Sequence, residues 1–425
     1  MDGTTPGTPR VLRAMNDRAA LDLLLTHGPL SRGRIGKLTG LSKPTASQLL
    51  ARLEAAGLVV VTGTSEGRPG PNAQLYAVNP DAAYVAGLDV TSLGLRAAVA
   101  DITGRTVGTF EAHAPGRPRS GAVASVVEAV EGAAKDAGVR REELRRLVIG
   151  TPGAFDPSTG RLRYASHLPG WHSPTLLDEL AAALPIPLEY DNDVNLAAVA
   201  EQRLGAARGH EDFVLLWNEQ GIGAALVIGG RLHRGWTGGA GEVGFLPVPG
   251  TPLVRGPARA NSGGFQELAG ANAVLRLAGE LGLEYDPRAE MKDAAADLLA
   301  RATRTGPPAG SGGEGGSESA GGSGAGRVGE PRAAHEELLR RFATGIAVGL
   351  ASLVAVLDPQ LIVASGGVLA AGGEPLRELV RTELAELAVP RPRLVLGTVT
   401  EHPVLSGALE SALATTRDEV FDTSR

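Results

Sequence analysis

The 425-residue sequence predicts an α/β protein in which an N-terminal winged helix-turn-helix leads into a two-lobed body. Three observations predict it. Residues 31–61 carry two capped helical patterns around a short Gly-initiated turn and run into a strand. Residues 81–425 alternate short apolar strands with helical stretches. The charge is divided: residues 1–80 hold nine Lys and Arg against five Asp and Glu, a net +4, leaving −10 on the remainder of a chain whose total is −6. A basic head on an acidic body confines the attraction for phosphate to the head.

The head is justified element by element. Asn16–Thr26 is an apolar-periodic run with Ala20, Leu23 and Leu24 on one face, and it stops at His27-Gly28-Pro29. Ser31 caps a second helix, in which Ile35 and Leu38 fall at helical spacing. Gly40 ends it, because glycine takes the left-handed conformation a helix end favours. Ser42 caps a third helix. Pro44 is tolerated in its first turn, where a backbone N–H has no helical partner to lose. Ala46, Leu49, Leu50 and Leu53 form the buried stripe, which leaves Lys43, Thr45, Ser47, Gln48 and Arg52 facing out. Small polar and basic side chains of this kind suit base edges and phosphates in a major groove. Ser31, Arg32 and Pro44, at the helix starts, complete the candidate DNA contacts of this segment. Leu58–Val61 and Gln74–Val78 pair as a wing, and its Gly- and Pro-rich tip, Thr62–Asn72, carries Arg68 toward a phosphate backbone or minor groove. A plain three-helix core with solvated polar faces shares the helical stripes. It gives no reason for cap, turn, helix and hairpin to follow in this order.

Length and composition bound the rest. A chain this long is expected to hold two or three domains, divided here as 1–80, 81–200 and 201–425, with the C-terminal helix free to return to the first lobe. The absence of cysteine excludes disulfides, thiolate catalysis and a thiolate zinc site. No apolar run approaches membrane-spanning length, and MDGTTPGTPR lacks the apolar stretch of a signal peptide, so a cytoplasmic protein without membrane contact is expected. In the body, strands are expected at Tyr84–Val90, Leu95–Asp101, Arg105–Ala112, Leu147–Gly150, Leu188–Tyr190, Phe213–Asn218, Gly223–Ile228 and Leu361–Ala364. Helices are expected at Gly121–Ala137, Leu176–Leu184, Asp193–Leu204 and across much of 265–303 and 333–357. Residues 305–330 are dominated by Gly and Ser with no recurring apolar position, which predicts a disordered insertion between helices.

Six body segments, taken together and in order, resemble the ROK family of repressors and sugar kinases. They are Gly150-Thr-Pro-Gly-Ala-Phe-Asp156, Leu168-Pro-Gly-Trp171, Asp191-Asn-Asp-Val-Asn-Leu-Ala-Ala198, Gly221-Ile-Gly223, Gly239-Ala-Gly-Glu-Val-Gly244 and Asp358-Pro-Gln-Leu-Ile-Val-Ala-Ser-Gly-Gly367. The resemblance implies an actin/hexokinase-like (ribonuclease H-like) body whose lobes close on a sugar, and a homodimer or homotetramer. It implies a sugar site that includes Gly153, Asn192, Asp193, Glu242, Phe245 and Glu267. Asp193 matches the residue that in the family's kinases accepts the sugar hydroxyl proton; a plain helix-capping Asp is the competing role.

The departures from the family's pattern are equally specific. The usual Gly-Glu-x-Gly-His ends here in Phe245. Ala258, Ala260 and Phe265 stand where the resemblance places three cysteines, so the family's zinc site is expected to be lost and no metal is expected. The kinases' Asp-x-Gly-Gly-Thr reads Asp89-Val-Thr-Ser-Leu-Gly94, with bulk where backbone should approach phosphate. Gly221, Gly223, Gly366 and Gly367 remain as vestiges of a nucleotide side. Read together, these residues predict a sugar-responsive regulator, most simply a repressor of operator DNA, with no cofactor, no catalysis, and Asp193 as the vestige of a base. The alternatives are an active sugar kinase carrying a DNA-binding head, and a regulator whose body only oligomerises.

Overall fold

A computed structural model describes residues 9–65, 73–91, 93–113, 121–156, 161–163, 171, 173, 175–255, 264–304 and 326–423. The chain divides into two units. The first comprises residues up to Thr151, Ser166–Asp191 and Leu405 onward; the second comprises Pro152–Ala165 and Asn192–Val404.

The first unit begins with the head. Helix α1 (Pro9–His27) buries Asp17, Ala20, Leu21 and Leu24, a stripe at i, i+3, i+4 and i+7. Strand β1 (Leu30–Ser31) leads into α2 (Arg32–Thr39). A turn with Gly40 at φ 72° then leads into α3 (Lys43–Ala55), whose buried residues are Ala46, Leu49, Leu50 and Leu53. The wing strands β2 (Val59–Thr64) and β3 (Gln74–Val78) complete a sheet of order β1-β3-β2. Two expected core positions differ. Leu23 flanks the stripe, with Leu21 buried in its place, and Leu38 is 39% exposed while Leu41, from the turn, packs against the core instead.

The same unit continues with β4 (Tyr84–Thr91), β5 (Gly94–Asp101), β6 (Thr106–His113), α4 (Ala122–Asp136), β7 (Leu144–Thr151), α5 (Leu176–Ala183), β10 (Leu188–Asn192, whose last residue is the first of the second unit) and the C-terminal helix α12 (Pro403–Val420). Its five-stranded sheet has the order β10-β7-β4-β5-β6. Here β4, β5 and β6 form an antiparallel meander, and β7 adds parallel to β4.

The second unit holds a small hairpin, β8 (Ala154–Asp156) with β9 (Arg161–Arg163), followed by α6 (Asp193–Arg203), β11 (Phe213–Asn218), β12 (Ile222–Ile228) and β13 (Arg231–Leu232). Helices α7 (Phe265–Ala269), α8 (Ala271–Glu280), α9 (Met291–Arg304) and α10 (Gly326–Leu357) come next. They are followed by β14 (Leu361–Ser365), α11 (Gly367–Leu387) and β15 (Arg393–Leu396). The sheet order is β13-β12-β11-β14-β15, again an antiparallel meander joined to parallel strands. Numbered along the chain within each sheet, both five-stranded sheets have the order 3-2-1-4-5. The body therefore repeats one α/β plan, as a hexokinase-like fold requires.

Helix α11 kinks at Gly373, which sits at φ 54° two residues ahead of Pro375; a proline ring in mid-helix forces such a break. Within α10, Arg332–Leu357 is long and apolar enough to cross a membrane, with a mean hydropathy of 1.5, contrary to the expectation that no stretch came close. Its Leu338, Phe342, Ile346, Leu350 and Val354 lie in the main core of this unit, which accounts for the composition. Residues 305–325 of the Gly/Ser-rich stretch lie outside the described residues, and α10 begins at Gly326.

Candidate nucleic-acid interface and small-molecule site

The head presents the polar face expected of a DNA reader. Ser31 caps α2 by accepting from Arg34 N at 3.3 Å, and Ser42 caps α3 by accepting from Thr45 N at 3.4 Å. Each cap fixes the start of its helix, so the side chains of the first turns project from a defined backbone. Lys43, Pro44, Thr45 and Gln48 are exposed and Ser47 is half-buried. Ser47 Oγ donates to Lys43 O at 2.9 Å and accepts from Arg32 Nη1 at 3.1 Å, which joins the first turns of the two helices. Arg34 and Lys37 add exposed cations on α2. Arg52 points elsewhere: its Nη2 lies 2.6 Å from the carboxylate of the buried Asp17 on α1. Arg68 lies outside the described residues.

In the second unit the start of β12 gathers most of the ligand-site candidates. Ile222 N donates to Gln266 Oε1 at 2.8 Å, which places α7 and its Glu267 beside the strand. A Cβ on Gly223 would lie 3.2 Å from Val194, so the first turn of α6 rests on this residue. Ala224 N donates to Gly241 O at 2.9 Å, and a Cβ on Gly241 (φ 97°) would fall 1.9 Å from Ala224 O. Only glycine permits that approach, and it holds the following Glu242 against the strand. Burial pushes the Glu242 carboxyl above the usual carboxylate range. Phe245 is half-buried at the end of the short helical turn that Glu242 opens.

Asn192 and Asp193 occupy the strand-to-helix junction between β10 and α6. Asn192 Oδ1 caps α6 by accepting from Val194 N at 2.9 Å and Asn195 N at 3.3 Å, while its Nδ2 donates to Gly153 O at 3.0 Å. Asn192 thus ties the Gly153 turn to the helix that carries Asp193. Asp193 Oδ1 accepts from Val194 N at 2.8 Å, sharing that N–H with Asn192 Oδ1. Glu267 lines a cavity of about 670 Å³ together with Arg276, Arg340 and Arg341; the other five ligand-site candidates do not line it.

The segment of Gly366 and Gly367, expected as the vestige of a nucleotide side, carries a feature that no motif announced. Gly366 sits at φ 92°, where a Cβ would fall 2.4 Å from Asn218 O. Behind it, the N-terminus of α11 is occupied by the chain's own carboxylate: Gly367 N donates to Glu219 Oε1 at 2.5 Å, and Lys292 Nζ lies 3.7 Å from Glu219 Oε2. A helix N-terminus favours an anion, and here a side chain supplies it. In the first unit, the turn after Asp89 closes on itself, with Thr91 Oγ1 donating to Gly94 O and accepting from Leu93 N, both at 3.2 Å.

A zinc ion does not fit the segment where the resemblance places one. Phe245 and Phe265 offer no donor, Phe265 is fully buried in the apolar core, and the chain has no cysteine. Among the described residues no three His, Asp or Glu side chains are grouped to hold a metal. Ala258 and Ala260 lie outside the described residues.

A winged head on a twice-repeated α/β body of this topology defines a helix-turn-helix protein built on a hexokinase-like fold. Residues 85–289 match the ROK family and residues 9–68 match the MarR family. The body is thus ROK-type over residues 85–289, and the N-terminal helix-turn-helix is MarR-type over residues 9–68. It is 27% identical over 245 residues to a xylose repressor of Caldicellulosiruptor bescii, a match covering 57% of this chain and 61% of that protein. The matched stretch thus spans about three-fifths of the repressor's length. It is also 27% identical over 295 residues to a glucokinase of Streptomyces coelicolor, covering 69% of this chain and 85% of the enzyme. Among solved structures, a ROK family transcriptional regulator described as a homologue of the E. coli MLC protein superimposes with a TM-score of 0.69 at 17% identity, over 95% of this chain and 96% of that one. At that identity the likeness establishes the fold.

Proposed function

We propose that this protein is a cytoplasmic, sugar-responsive transcriptional regulator, most simply a repressor, that binds operator DNA as a homodimer or homotetramer. The observation that carries the reading is the pairing of two features in one chain. The head offers an open face of Lys43, Thr45 and Gln48 for DNA, while the body's nucleotide side is closed by Glu219 at the N-terminus of α11. A sugar in the site of Gly153, Asn192, Asp193, Glu242 and Phe245 is the effector, with Glu267 contributing from the next helix. To act as a switch it must bind the DNA-competent and DNA-free states unequally. The xylose repressor and the glucokinase among the relatives support a pentose or a hexose as the class to test first.

The test is fluorescence anisotropy on a duplex from the gene's own promoter region, with a scrambled duplex as control. Specific binding is expected at about 0.1–0.15 M salt, weakening steeply as salt rises because lysine and arginine contacts release counterions. Equal affinity for both duplexes sinks the proposal. The effector arm is a thermal-shift screen against pentoses, hexoses and N-acetylated hexosamines. One sugar is expected to raise the melting temperature, and Asp193→Asn to abolish that rise; a rise unaltered in the variant removes Asp193 from the site.

A kinase reading is favoured by one observation, Asp193 at the start of α6 in a chain that matches a glucokinase over most of its length. Glu219 opposes it. Sustained ADP release with any sugar of the same panel, lost in Asp193→Asn, would replace the regulator's passive site with a catalytic one.

A further inference from the structure

The core of the DNA-reading head is not built from head residues alone. Phe421, just past the end of α12, is 1% exposed in the cluster that includes Leu21, Leu24, Leu50 and Leu53, and Ile102 of the body joins the same cluster. The geometry points to α12 as the element that positions the recognition helix, with Phe421 and Thr423 as positioning residues acting through Asp17. This rests on the reading of the head as a DNA reader.

One buried carboxylate joins the head to the C-terminal segment. Asp17 is 2% exposed on α1. Its Oδ1 takes Arg52 Nη2, from the last turn of α3, at 2.6 Å; its Oδ2 takes Thr423 Oγ1, from the C-terminal segment, at 3.0 Å. The recognition helix and the chain's C-terminal segment therefore share a single buried acceptor. Around it, Arg18 lies over the Phe421 ring at 5.7 Å and donates to Asp418 at 2.8 Å. Hydrophobic burial of Phe421 fixes where α3 sits, and the Asp17 fork fixes its rotation about the helix axis. That rotation decides which side chains of Lys43, Thr45 and Gln48 face a base edge.

The other end of α12 explains why such a tie has regulatory value. The helix begins at Pro403, where the chain makes its last passage from the second unit into the first, after β15. Along its length it is anchored to the first unit by Arg417 Nε donating to Ile102 O at 2.9 Å and by Arg146 Nη2 meeting Glu419 at 2.6 Å. A rigid helix of 18 residues is about 27 Å long. The helix therefore runs from the point where the chain enters the first unit to Phe421 without a flexible link. The peptide between wing and body is pinned as well, with Asn79 Nδ2 donating to Gly57 O at 2.8 Å and Tyr84 Oη to Asp81 Oδ1 at 2.5 Å.

The experiment compares wild type with Phe421→Ala, Phe421→Leu and Thr423→Val, reading promoter-duplex affinity by anisotropy and amide exchange by mass spectrometry. Phe421→Ala is expected to weaken duplex binding by about 30-fold or more and to speed exchange in α1 and α3 while β4 and β7 stay protected. Phe421→Leu should restore most of both. Thr423→Val is the decisive variant. It removes one hydrogen bond to a charged group without opening the core, so exchange should stay near wild type while duplex affinity drops about fivefold. Wild-type affinity in Thr423→Val overturns the positioning role, and unchanged exchange in Phe421→Ala overturns the strap itself. Should wild type fail to prefer its promoter duplex, the DNA reading fails, and the exchange measurement still decides whether α12 holds the head.

Discussion

At pH 7.5 the Asp89→Asn variant is expected to be more stable than wild type by about 2–3 kcal/mol, and near pH 4 the two are expected to unfold alike. Asp89 lies on the central strand β4, 8% exposed, opposite Arg96 on β5. Burial pushes its carboxyl up to about 6, and the Arg96 charge offsets only part of the rise. The folded protein therefore binds a proton there more tightly than the unfolded chain, whose carboxyl titrates near 4. Between about pH 4 and 6 the native state holds more protons, so stability falls as pH rises through that window and stays lower above it. Asparagine mimics the neutral form and removes the penalty. Urea unfolding of both proteins at the two pH values checks this, and an equal difference at both would show that ionisation of Asp89 is not the cause.

The head was legible because its signals are local. Ser31, Gly40, Ser42 and Pro44 each dictate backbone within one turn, and the caps and the left-handed Gly40 are where those residues require them. Most strands of the body sheets were legible for the same reason, each being a short apolar run between turn residues; the edge strands β13 and β15, two and four residues long, were not among those expected. What stayed hidden is long-range. Asp17 looks like one more surface acid on an amphipathic helix. Only the fold brings Arg52, 35 residues on, and Thr423, 406 residues on, to its two oxygens. Arg52 is exposed, as helical spacing placed it, but its guanidinium is held by this buried carboxylate. Glu219 is the same kind of case. Nothing in Asn218-Glu219-Gln220 marks an acid that will cap a helix 148 residues later. For the proposed ligand site the residue identities came from the family resemblance. The strand at Gly223–Ile228 was expected from the sequence, but that α6, α7 and Gly241 pack around its start came only from the structure.

The described end of the segment where the resemblance places a zinc ion is held by packing, and it carries a large expected effect. Phe265, at one ligand position, opens α7 and is fully buried. The neighbour that admits it is Gly349 of α10, where an added Cβ would fall 2.1 Å from the Phe265 ring. Phe265→Ala is therefore expected to destabilise the protein by about 3–5 kcal/mol, the lost burial plus the cavity left behind. Gly349→Ala should gain about 1 kcal/mol from helix propensity in open surroundings. Against a fixed ring it should instead lose about 1–3 kcal/mol through overpacking. If ring and glycine are one fitted pair, the double variant Phe265→Ala/Gly349→Ala must be less destabilised than the sum of the singles, by about 1–3 kcal/mol, because the new methyl enters the space the ring vacates. Denaturant unfolding of the four proteins closes that cycle. Strict additivity would mean that the two residues do not compete for the same space, and that the described end of this segment is held by something other than the contact of α7 with α10.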